Sequence, residues 1–124
     1  MDPEILVLDG RGVLTRALAQ VKTSLNVSLH VASDALQAIS LIQLHSYGSL
    51  VIDEQVGYVD GWALLRYLED NEIPLDSIIV SSGDTVRSFD EEFRWARRVQ
   101  LADLAEVIAE RIRISRAALG PQES

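Results

Sequence analysis

The chain contains no cysteine, which excludes disulfides, thiolate metal sites and a cysteine nucleophile. Its single lysine, Lys22, is one of 11 basic residues set against 19 acidic ones. The net charge of −8 argues against a phosphate-backbone ligand, whose affinity rests largely on Lys and Arg. No run of about 18 apolar residues occurs, so no segment reads as a membrane span. The opening Met1-Asp2-Pro3-Glu4 lacks the basic segment and apolar stretch of a secretory signal. Repeats, low-complexity tracts and internal linkers are missing too. The expectation is a cytoplasmic protein with no nucleic-acid and no membrane partner. The two histidines, His30 and His45, fall on different elements with no third ligand in sight and no paired nucleophile. They carry little weight as a metal site.

What is present is 124 residues with 48% apolar content, enough for one domain with a sizeable core. The domain is expected over residues 1–119, with 120–124 as a frayed tail. Apolar runs alternate with amphipathic ones. Ile5-Leu6-Val7-Leu8, Ser49-Leu50-Val51-Ile52 and Ile78-Ile79-Val80 read as buried strands, and Val27–Val31 as a half-buried one. Leu14, Ala17, Leu18, Val21 and Leu25 lie on one helix face. Asp34 with Gln37 reads as a capping box for a helix through Leu36, Ile39 and Ile42. Asp60-Gly61 marks the start of a third helix through Leu64, Leu65 and Leu68, ending near Asn71 and Pro74. Residues 84–94 suit only a short, irregular helix, and Phe93 to Val99 a poor fifth strand. Leu101, Leu104, Ala105, Ile108 and Ile112 stripe a last helix, whose Arg111, Arg113 and Arg116 read as a solvated face. Five βα units with short connections imply a flavodoxin-like (βα)5 sandwich: a five-stranded parallel sheet, doubly wound, with a shortened fourth helix region.

Three strands end on reactive side chains. The first runs into Asp9, the third ends at Asp53 and the fourth runs into Ser81-Ser82. In open α/β folds the carboxyl edge of the sheet is where ligands bind. Each residue also has an ordinary role available. Asp53 can cap a loop, Asp9 can cap the helix that follows it, and Ser81 suits a turn beside Ser82 and Gly83. Trp62 reads as packing beside the third helix or as a partner contact, and Trp95 as a core or interface residue.

In order and spacing, Ile5-Leu6-Val7-Leu8-Asp9, Val51-Ile52-Asp53, Val59-Asp60-Gly61-Trp62-Ala63-Leu64-Leu65 and Ile78-Ile79-Val80-Ser81-Ser82 resemble the CheY-like receiver domain of bacterial response regulators. The resemblance spans residues 4 to about 112. It implies a signalling domain of a two-component or phosphorelay system rather than an enzyme. Asp53 would accept a phosphoryl group from a histidine kinase or phosphotransfer protein. Mg2+ would be held by Asp9, Asp53 and the backbone carbonyl of Gln55, and the Ser81 hydroxyl would sense the phosphoryl group. A downstream effector protein would read the change, through the last helix and fifth-strand region, with a homodimer as one form of that contact. These residue types suit the chemistry, because phosphoryl transfer is mostly positioning plus neutralisation of oxygen charge.

The chain departs from that pattern in four places. Gly10 replaces the second acid of the usual pair. The family's fifth-strand lysine is missing, with Arg97 or Arg98 as a stand-in of different shape. No proline follows it, and the stretch from Ser81 to the last helix is short. Two rival functions follow. One is a phosphorylation-independent pseudo-receiver acting as a protein-interaction module. The other, from Asp9-Gly10-Arg11-Gly12-Val13-Leu14-Thr15 and Gly83-Asp84-Thr85, is a haloacid-dehalogenase-type phosphatase with Asp9 as nucleophile. Arg11 stands at its general-acid position and cannot donate a proton near neutral pH, and Ser88 stands where a later acid is expected.

Overall fold

A computed structural model of the chain describes residues 4–9, 12–53, 58–81, 93 and 96–119. The strands are β1 (Glu4–Leu8), β2 (Ser28–Ala32), β3 (Ser49–Asp53), β4 (Asp76–Ser81) and β5 (Ala96–Gln100). The helices are α1 (Val13–Leu25), α2 (Ala35–Leu44), α3 (Tyr58–Asp70) and α4 (Leu104–Leu119), the last entered through a 3-10 turn at Leu101–Asp103. All pairings are parallel and the strand order is β2-β1-β3-β4-β5. This is the flavodoxin-like α/β fold. The expected short helix at 84–94 lies outside the described residues except for Phe93, as does the tail from residue 120.

Two apolar layers, one on each face of the sheet, form the core. Ile5 and Val7 of β1, Val51 of β3, and Ile78 and Val80 of β4 pack with Leu14, Leu18 and Val21 of α1 and with Leu104, Ile108 and Ile112 of α4. The alternate residues Leu6, Leu8, Leu50, Ile52 and Ile79 meet Ala35 and Ala38 of α2 and Leu64, Leu65 and Leu68 of α3. Successive side chains on a strand point to opposite faces, so a central strand covered on both sides must be apolar throughout. That is why β1 and β3 read as unbroken runs. β2 is an edge strand, and its Ser28 and Val31 are exposed.

Several local details differ from the sequence reading. α3 begins at Tyr58, so Asp60 and Gly61 sit inside its first turn instead of opening it. α2 turns Ala35 and Ala38 into the core and leaves Leu36 76% exposed. Small alanines let α2 lie close to the sheet, and Leu36 falls off that face. The Asp34 carboxylate does accept from the Gln37 amide at 2.8 Å. Gln37 Oε1, however, reaches one residue further back than a capping box requires, accepting from the Ser33 amide at 2.8 Å and its hydroxyl at 3.1 Å. The fifth strand starts at Ala96, with buried Phe93 preceding it and stacked edge-on against Trp62 at 6.4 Å.

The arginines of α4 are not all a solvated face. Arg111 pairs with Asp76 at 2.5 Å and Arg116 donates to the Leu25 carbonyl. These contacts tie α4 to the start of β4 and to the end of α1. Arg113 alone of the three is exposed.

The layer assignment has a direct consequence for stability. Leu64→Ala should cost about 2–5 kcal/mol in urea unfolding, because it opens a cavity between α3 and the sheet. Leu36→Ser should change stability by less than about 0.5 kcal/mol.

Candidate functional site at the carboxyl edge of the sheet

From β1 the chain crosses to β2 on one side, and β3 then takes the other side of β1. This reversal leaves a crevice beyond the carboxyl ends of β1 and β3. Leu8 is the register partner of Ile52, so Asp9 and Asp53, one residue on, lie level on adjacent strands. Both are buried, at 5% and 1% exposure. Asp53 in turn pairs with Val80, and Ser81 ends β4 one residue beyond, opposite Gln100 of β5. Three of the residues singled out in the sequence therefore converge on one edge.

Arg98 lies lower. It pairs with Ile79, two residues short of Gln100, which is about 7 Å along the strand. Its side chain is partly buried, with Nη1 shielded from solvent. Gln55 lies outside the described residues, as do Gly10 and Trp95.

The surroundings of Asp9 show what one of the two carboxylates does. Its Oδ1 accepts from the Gly12 amide at 2.9 Å. Its Oδ2 accepts from the Thr15 amide at 3.0 Å and from the Thr15 hydroxyl at 2.9 Å. Gly12 is the N-cap of α1 with φ 76, a left-handed conformation that suits glycine. Its own side-chain position offers no cap, so Asp9 supplies one from outside the helix and satisfies amides that have no intrahelical partner. The negative charge also faces the positive end of the helix dipole. Gly12 and Thr15 are functional partners that the sequence reading misses. The available signal is an Asp followed three and six residues later by Gly and Thr.

This geometry bears on magnesium. The ion takes hard oxygen ligands in near-octahedral geometry. A carboxylate offers about four lone-pair sites, and three of those on Asp9 face α1. The following position is glycine, and no cluster of three or more His, Cys, Asp or Glu forms among the described residues. Among the described residues, Asp9 and Asp53 are the carboxylates at this edge that could hold magnesium, and Asp9 has most of its oxygen capacity turned to α1. The same three hydrogen bonds oppose Asp9 as a phosphatase nucleophile; Arg11, Asp84 and Ser88 of that reading lie outside the described residues.

If Asp9 is a cap, Asp9→Ala should destabilise the protein by about 1–3 kcal/mol in magnesium-free buffer, since it strands three donors. A carboxylate kept only for a metal would leave the metal-free protein as stable or more stable when removed. Gly12→Ala should cost about 1 kcal/mol for its positive φ.

No family model matches the sequence, and no curated protein matches it. Solved structures do. The receiver domain of the Francisella response regulator 1452 is 22% identical, with a TM-score of 0.69 over 92% of this chain and 99% of its own. The signal receiver domain of an HD domain-containing protein from Pseudomonas fluorescens Pf-5 is 21% identical, with a TM-score of 0.70 over 94% and 97%. A CheY-like response regulator receiver domain protein from Methanospirillum hungatei JF-1 is 16% identical, with a TM-score of 0.69 over 95% and 99%. At these identities the likeness establishes the fold.

Proposed function

We propose that the chain is a receiver-type signalling domain, cytoplasmic, that accepts a phosphoryl group on Asp53 from a histidine kinase or phosphotransfer protein. The observation that carries this reading is a carboxylate 1% exposed at the end of a central strand, beside the point where the strand order reverses. A carboxylate at that position places an oxygen nucleophile at the edge where open α/β sheets bind their ligands. The Asp53 oxygen is the nucleophile. Ser81 at the same edge donates to the new phosphoryl group, and Arg98 is the cation nearest in register among the described residues. Charge-assisted donors of this kind hold phosphoryl oxygens.

The output is a shift between two conformers that an effector protein distinguishes. α4 and β5 form the proposed contact surface. β5 is an edge strand, and α4 leaves Ile114 59% exposed. A homodimer through the same face is one form of that contact.

A second reading is supported by Asp9. With that carboxylate committed to α1, Gly10 beside it and no lysine in β5, the edge resembles a receiver that has left phosphorylation and works as a constitutive interaction module.

Intact mass after incubation with acetyl phosphate, with and without magnesium, separates the two. A hydroxylamine-labile adduct that Asp53→Asn abolishes is the expected result. Absence of any adduct under both conditions, in protein shown to be folded, removes the phosphoacceptor and leaves the interaction module.

A further inference from the structure

The chain has two histidines in 124 residues, and the fold brings them together. His30 is the middle residue of β2, and His45 is the residue that ends α2. Their ring centroids are 4.9 Å apart with the planes at 72°. Tyr47 completes the group, with its hydroxyl 2.7 Å from His30 Nδ1 and its ring 6.0 Å from that of His45. The cluster stands apart from the carboxyl edge, since His45 and Tyr47 precede β3 whereas Asp53 ends it.

We propose that His30 and His45 form a surface site for a divalent transition-metal ion that prefers imidazole, Cu2+ foremost and Zn2+ after it. The spacing is the first support. With metal–nitrogen bonds of about 2.0–2.1 Å, an imidazole centroid lies about 3.2 Å from the ion. Two such rings are then about 4.5 Å apart at a right angle and about 5.2 Å apart in a tetrahedral arrangement. The observed 4.9 Å falls between these limits.

Anchoring is the second support. His30 is held in a strand paired with β1. His45 is held by its amide, which donates to the Leu41 carbonyl at 2.9 Å. The two ligands are thus positioned by separate elements before any ion arrives. The Tyr47 hydroxyl on Nδ1 fixes the rotation of the His30 ring, as the outer partners of metal-bound histidines do. In the tautomer whose Nδ1–H donates to that hydroxyl, Nε2 carries the lone pair that binds the ion.

Access is the third. His45 is exposed, so core burial does not force its ring against His30. With Tyr47, Ile42, Ser46 and Ile73 it borders a hollow of about 440 Å3, which leaves room for the waters that complete the coordination. Copper binds such nitrogen sites more tightly than zinc by the general order of divalent affinities.

The test is Cu2+ titration of the full chain followed by electron paramagnetic resonance with pulsed detection of imidazole nitrogens. The absence of any other histidine or any cysteine makes the assignment direct. One equivalent of Cu2+ with two coupled imidazoles is expected. His45→Gln, at an exposed position, should leave one imidazole and weaken binding about tenfold or more, and Tyr47→Phe should weaken it about tenfold. Arg113→Ala, at an exposed position of α4, should leave the copper spectrum unchanged. A spectrum without two imidazoles, or a titration that is the same in the double variant His30→Gln/His45→Gln, would overturn the proposal. Circular dichroism of each variant confirms that it is folded.

Discussion

All five strands run parallel, and the rest of the molecule depends on that constraint. A parallel strand cannot return through a tight turn, so each connection must cross a face of the sheet. The three crossovers between described elements carry α1, α2 and α3, α4 follows β5 and joins α1 on its face, and the central strands become apolar on both sides. The carboxyl ends of all strands then gather at one edge. Because β2 and β3 flank β1 on opposite sides, that edge opens between β1 and β3. Asp9 and Asp53 lie at this opening because of topology, whatever their chemistry.

Two buried acids side by side must each be accommodated, and Asp9 shows how one is. Its three donors come from the start of α1, so the helix and the acid stabilise each other. The arrangement joins the end of β1 to the beginning of α1 through side-chain contacts as well as through the chain. An acid in this position serves local structure first, and the number of carboxylate oxygens left to act on a phosphoryl group or a cation is correspondingly small.

Polar contacts at the periphery hold the layers in place. The Asp76–Arg111 pair and the bond from Arg116 to the Leu25 carbonyl fasten α4 at two points. Arg66 lies over the Trp62 ring at 5.4 Å, and Trp62 in turn meets Phe93. None of these pairs is close in sequence except Arg66 with Trp62, one helical turn apart.

The strands, the four described α-helices and the parallel architecture were legible in the sequence because their signal is local. Unbroken apolar runs such as Leu50-Val51-Ile52 can be satisfied only between two helix layers, and Leu104, Ile108 and Ile112 recur with the helical period. The convergence of Asp9, Asp53 and Ser81 was legible too, since each ends such a run. What needed the tertiary structure was every relation between distant elements. Periodicity could not say that α2 would seat its alanines and expose Leu36, because that depends on how closely α2 approaches the sheet. Nor could it place His30 beside His45, or Arg111 beside Asp76. Those distances follow from strand order and register, which a single sequence does not contain.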